Sequence, residues 1–222
     1  MTTASDEEGD RRLAVEACRL HERYTVEVIE RWNLCPWAWK ARQEGEVARR
    51  ALLQRDADPR PTLDLLAELE GATPRVVVMI AIYPRLALDP RAFDAFVSSV
   101  KALDQARHGG RPVYVSASFH PDYALDDRSP SALVPWLRRS PDPSLQLVHF
   151  ATIEEARGRT GKILFDYSPE AWEEIRRRIE RGTVPERVAA DNHATVANDR
   201  EEMERAVADI AADRARSYAG LL

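Results

Sequence analysis

Residues 75–83 read RVVVMIAIY, an arginine followed by an unbroken apolar and largely β-branched run. A run without polar alternation is the signature of a strand covered on both faces, and here it predicts a central strand. Downstream, Asp89-Pro90 supplies an N-cap and a first-turn proline for a helix carrying Phe93, Phe96, Val97, Val100 and Leu103, stopped at Gly109-Gly110. PVYVSASF (112–119) predicts a second strand, Pro130–Leu137 a short helix capped from Arg128-Ser129, and LQLVHFA (145–151) a third strand. KILFDY (162–167) offers a fourth, and Ser168-Pro169 caps a helix with Trp172, Ile175 and Ile179.

Upstream, Leu13, Ala17, Leu20, Tyr24 and Val28 recur at helical spacing, so 11–32 reads as an amphipathic helix. WAWKARQEGEVARRALL (37–53) again reads as helix, and TLDLLAELE is a short helix opened by Pro61 and stopped by Gly71. The chain ends in a charged helix with Met203, Val207, Ile210 and Tyr218 on one side. Strands alternating with helices from 75 to 181 indicate an α+β or α/β fold. The expectation is a sheet of three or four strands, ferredoxin-like in arrangement, wrapped by N- and C-terminal helices. The acidic first ten residues are expected to be disordered, and 11–222 to form a single domain with helical parts at 11–71 and 169–218.

The chain has 222 residues, enough to bury a real core at 44% hydrophobic content. A net charge of -5 argues against nucleic acid as a partner. The most basic patch, EEIRRRIER (173–181), mixes signs at spacings that give a solvated helix face. No stretch approaches the roughly 20 apolar residues of a membrane span, and the acidic N-terminus is unlike a signal peptide. A cytoplasmic protein without a membrane partner is the expectation. Cys18 and Cys35 are then expected to be reduced, and neither lies in a Cys-x-x-Cys pair.

Three short stretches could carry chemistry. In Asn33-Leu34-Cys35-Pro36-Trp37, proline at a first helical position puts Cys35 near an N-cap, where the helix dipole favours a thiolate; a small apolar gap-filler is the alternative. In Ser118-Phe119-His120-Pro121-Asp122-Tyr123, a His and an Asp follow a strand end. They could ligate a metal, or act as a general acid with its orienting carboxylate, or simply shape a turn. In Arg138-Arg139-Ser140-Pro141-Asp142-Pro143, an arginine beside a strand end could grip a carboxylate or phosphate with Ser140 assisting, or stand in a rigid solvated turn. His149 could point to either face of its strand, and His21, His108 and His193 have no informative neighbours. No dinucleotide fingerprint, P-loop, nucleophile elbow or zincin helix is present.

Together, NLCPWA (33–38), SFHPDY (118–123) and RSPDPSLQLV (139–148) resemble the bacterial DUF1415 family, of unknown function, in order and spacing over roughly residues 10–155. VPERV (184–188) resembles a later motif of the same family. Trp37 stands where that family has Phe, Arg138 where it has Asn, and Gln146 where it often has His. The resemblance brings no activity. It implies that Cys35, His120, Asp122, Tyr123, Arg139 and Ser140 converge on one pocket.

The leading expectation is therefore a small-molecule enzyme: Cys35 as nucleophile, His120 beside it, Asp122 orienting the imidazole, and Arg139 holding an anionic group with Ser140, Tyr123 and Trp37 lining the site. A second reading makes Cys35, His120 and Asp122 ligands of a transition metal, Zn, Fe or Cu. A third is non-enzymatic: an accessory or assembly protein whose terminal helix packs against a partner, a second copy in a homodimer, or its own chain.

Overall fold

The computed structural model describes residues 4–35, 38–70, 76–111, 113–149 and 184–222. Its sheet has strands β1 (Val47–Ala51), β2 (Val78–Ile82), β3 (Tyr114–Phe119) and β4 (Ser144–His149) in the order β1-β2-β4-β3. The apolar run that predicts a central strand supplies β2, interior between β1 and β4. The helices are α1 (Ala4–Tyr24), which continues as a π-helical turn (Thr25–Glu30), α2 (Ala38–Gln43), α3 (Arg60–Glu70), α4 (Pro90–Arg107), α5 (Pro130–Leu137) and α6 (Val184–Ser217). The α+β class is as expected.

Strand alternation divides the core. Ile80, Ile82 and Phe119 face α1, α5 and α6, packing with Leu13, Leu20, Tyr24, Trp136 and Met203. Met79, Ala81, Leu145 and Leu147 face the opposite layer, with Leu66 of α3 and Phe93, Phe96 and Val100 of α4. The capping expectations hold: Asp89 accepts from Ala92 N at 2.8 Å to start α4, and Ser129 accepts from Ala132 N at 3.2 Å to start α5. The helix α4 ends where Gly109 and Gly110 take φ of 64° and 82°, a region open to glycine. Along α1, Leu13, Ala17, Leu20 and Tyr24 are all buried, and the stripe runs on to Val28 across the π-helical turn.

Three expectations need correction. The acidic N-terminus is helical from Ala4: Asp6 and Glu7 sit in the first turn, where the dipole favours negative charge, and Asp10 pairs with Arg85 at 2.7 Å. The helix expected over 37–53 stops at Gln43. Gly45, at φ 70°, turns the chain, and 47–51 becomes the edge strand β1. Its VARRA sequence has no strand pattern; parallel pairing with the preformed edge of β2, extended by Leu52 N donating to Ile82 O at 2.8 Å, overrides the helix preference of Ala and Arg. Finally, β4 lies antiparallel between β2 and β3, which makes β2-α4-β3-β4 a split βαβ unit. The remaining strand, β1, however, runs parallel to β2, so the sheet is mixed and departs from a ferredoxin-like order.

The apolar stripe of α6, with Val196, Met203, Ile210 and Tyr218 buried, is covered by the chain's own α1 and α5 layer. Arg19 and Arg23 both bond Asp213, at 2.9 and 2.8 Å, and Arg31 pairs with Glu202. KILFDY and the helix opened by Ser168-Pro169 lie outside the described residues. Among the described residues no helix is long and apolar enough to cross a membrane. Cys18 and Cys35 form no disulfide.

Candidate functional site

Cys35 sits where the first helical segment ends. Leu34 N reaches back to Ile29 O at 2.9 Å, and Asn33 takes a left-handed φ of 51°, which an asparagine tolerates better than most side chains. The buried Leu34 then fixes the turn against the core, and Ala38 N donates to Cys35 O at 3.1 Å. Pro36 and Trp37 lie outside the described residues, and with them the lining role expected of Trp37. With only six residues, α2 offers little dipole to hold a thiolate at Cys35.

The nearby cation is Arg138, the residue just past α5. Its guanidinium is half-buried and stands over the Phe119 ring at 5.7 Å. Burial lowers its pKa, and the surrounding Tyr123, Tyr24, Cys35 and Asp94 partly offset that. Among the described residues no hydrogen bond or ion pair engages this guanidinium. A half-buried cation in that state is unusual, since desolvation is normally compensated by a partner.

Arg139, the arginine singled out from the sequence, is engaged elsewhere. It stacks on Trp136 at 4.0 Å and donates from Nε to Trp136 O at 3.0 Å. The apolar cavity it borders, with Tyr24, Val28, Leu34 and Met203, has only about 10 Å³, room for about one water. Ser140 is fully buried; its hydroxyl donates to Asp142 O at 2.5 Å and lies 3.0 Å from Ser144 Oγ. Both residues brace the loop between α5 and β4.

His120 is also engaged inside the fold. It is 1% exposed; Nδ1 accepts from Asp122 N at 3.1 Å, which leaves Nε2 protonated and donating to Leu88 O at 2.9 Å. Both ring nitrogens are thereby used. The Asp122 carboxylate, 77% exposed, stays 3.9 Å from Nδ1, too far to orient a ring that the backbone amide already holds. The ring packs on Phe93 and Tyr123, each centroid 5.8 Å away. The imidazole is therefore not oriented by the Asp122 carboxylate.

Nor do Cys35, His120 and Asp122 form a metal-ligand group. Among the described residues the only set of such side chains close enough to hold an ion is Glu70, Asp104 and His108. There Arg107 already bonds Glu70 at 2.8 Å and Asp104 at 3.0 Å, so the negative charge is answered by a side chain.

Tyr123 is, with Cys35, an expected residue that stays at the site. Its hydroxyl lies 2.5 Å from Asp94 Oδ1 and 2.8 Å from Ser118 Oγ, while Ser118 Oγ lies 2.6 Å from the same carboxylate oxygen. Burial, then the bond to Asp94, pushes the phenol up to about 12. The candidate site thus comprises the Cys35 thiol, Arg138, and a hydroxyl pair tied to an exposed carboxylate near the carboxyl end of β3. Sequence reading missed Arg138, Ser118 and Asp94. Nothing in an Arg-Arg pair tells which member turns inward, and Asp94 shows itself only once α4 is docked.

Neither a curated protein nor a solved structure matches the chain. The family model described as "Protein of unknown function (DUF1415)" matches residues 17–163, which include β1 to β4, Cys35, the SFHPDY turn and Arg138. With more than half of its length matched, the chain belongs to the DUF1415 family.

Proposed function

We propose that the protein is a small-molecule enzyme in which Cys35 is the nucleophile and Arg138 holds an anionic group of the substrate, a carboxylate or phosphate. The observation that carries this reading is the Arg138 guanidinium, half-buried, unengaged among the described residues, and within electrostatic reach of Cys35. A guanidinium beside a thiol favours the thiolate, and its planar fork suits an oxyanion. In the reactive step the thiol loses its proton to solvent, sulfur attacks an electrophilic carbon, an S–C bond forms, and the leaving group departs with the electron pair. Tyr123, kept protonated and tied to Asp94 and Ser118, borders the anion subsite with neutral hydroxyls.

Alkylation of Cys35 by charged and neutral reagents of the same chemistry tests this. In a Cys18→Ser background, the rate with iodoacetate relative to iodoacetamide should exceed that of free cysteine by about 5- to 10-fold, the worth of roughly 1 kcal/mol of charge attraction. Arg138→Gln should return the ratio to that of the free thiol. A ratio equal to free cysteine in the unaltered site, or one indifferent to Arg138, removes the reading. Cys18 needs silencing because it is the second thiol, although burial pushes its pKa up and slows it.

A further inference from the structure

We infer that Asn192, on helix α6 beyond the matched family region, is a positioning residue for Cys35; the inference rests on the nucleophile role proposed above. Asn192 is 8% exposed, and its side-chain amide donates to the Leu34 carbonyl at 3.0 Å. That oxygen belongs to the peptide group joining Leu34 to Cys35. Because the peptide is planar, holding the carbonyl sets where the Cys35 Cα lies, and with it the few staggered positions that the sulfur can reach.

The turn requires such a brace. Asn33 is held left-handed, and the helix that would have supplied a donor for the Leu34 carbonyl has ended. A buried carbonyl without a donor is costly, so the bond fixes the turn from α6. On the Leu34 side, Met203 of α6 lines the same small apolar cavity together with Val28 and Val207. The carbonyl is thus clamped by a hydrogen bond in a packed apolar setting. Loosening it would let the sulfur drift from the Arg138 guanidinium while the rest of the fold stays in place.

The iodoacetate-to-iodoacetamide ratio of Cys35 reads this directly, because it depends on where the sulfur lies relative to Arg138 and not on stability. In the full-length Cys18→Ser chain, Asn192→Leu keeps the branched side-chain shape and removes the donor, and Asn192→Ala removes both; each should lower the ratio at least threefold. Asn192→Gln, which restores an amide donor, should recover part of it. Ile210→Ala, which weakens α6 packing far along the helix, should lower the unfolding midpoint and keep the ratio. A ratio unchanged in both donor-less variants overturns the inference while leaving the role of Arg138 intact. An equal fall in Ile210→Ala also overturns it, since general docking of α6 would then be sufficient. Absence of any iodoacetate preference before substitution removes both this inference and the reading of Cys35 beneath it.

Discussion

The Tyr218 hydroxyl donates to Asp142 Oδ2 at 2.5 Å, joining the C-terminal end of α6 to the loop between α5 and β4. Arg214 Nε donates to the other oxygen at 2.7 Å, so a carboxylate with no solvent exposure is claimed on both sides by one helix. Burial pushes the Asp142 carboxyl up, and Arg214 and Tyr218 pull it back. The RSPDP stretch therefore serves two ends of the molecule, because the Arg138 that precedes it faces the candidate site while its aspartate anchors the C-terminal helix.

Removing that anchor should be expensive. Asp142→Ala leaves the Arg214 guanidinium and the Tyr218 phenol without their acceptor, and breaking a buried pair from one side costs about 3–5 kcal/mol. Urea unfolding followed by circular dichroism reads the loss. A change below about 1 kcal/mol would mean that α6 is held by its apolar stripe alone.

His21 should show the opposite sign. It is buried in α1, and neither ring nitrogen has a hydrogen-bond partner among the described residues. Burial, then Arg49, lowers its pKa to about 3. The unfolded chain therefore binds a proton near pH 6.5 that the folded chain refuses. Stability is full above that pH and falls between about 6.5 and 3, by up to about 1.4 kcal/mol per pH unit. His21→Leu should raise stability at pH 7 by about 1–2 kcal/mol and flatten the loss between pH 7 and 5. Urea midpoints of both proteins at the two pH values decide it, and an unaltered pH slope would show that His21 finds a proton partner.

Much of the architecture is legible where a local pattern carries it. The stripe from Leu13 to Val28, the β2 run, and the Asp89 and Ser129 caps each declare themselves within a few residues. The strand β1 does not, because VARRA becomes a strand only by pairing with β2. His120 and Asp122 look catalytic in sequence for the reason they are adjacent in the fold: the histidine accepts the aspartate's backbone amide, a bond the sequence shows no differently from a side-chain pair. The partners of Asp142 and of Leu34 lie on or just past α6, far along the chain, and no local spacing announces them.

Beneath α4, Thr62 Oγ1 and the Tyr83 hydroxyl are 2.8 Å apart and buried. Each satisfies the other, and burial raises the phenol's pKa. Thr62→Val should cost about 1–3 kcal/mol because it strands a buried hydroxyl, whereas adding Tyr83→Phe removes the stranded group and should recover part of the loss. A double-mutant cycle by urea unfolding measures the coupling, expected near about 1 kcal/mol. Strictly additive losses would show that the two hydroxyls act independently.

The sharpest contrast between a structural and a catalytic histidine is its proton. At His120, an amide donated to Nδ1 and a carbonyl acceptor at Nε2 together require the neutral ring with hydrogen on Nε2. Nitrogen-proton correlation spectra at pH 7 should show that tautomer, with a slowly exchanging Nε2 proton shielded at 1% exposure. His120→Ala should lower stability by about 2–4 kcal/mol through lost packing on Phe93 and two lost hydrogen bonds. The iodoacetate preference proposed for Cys35 should persist in that variant, since both imidazole nitrogens are already bonded to the backbone. A preference that vanished with His120 in a chain still folded would restore the imidazole to the chemistry.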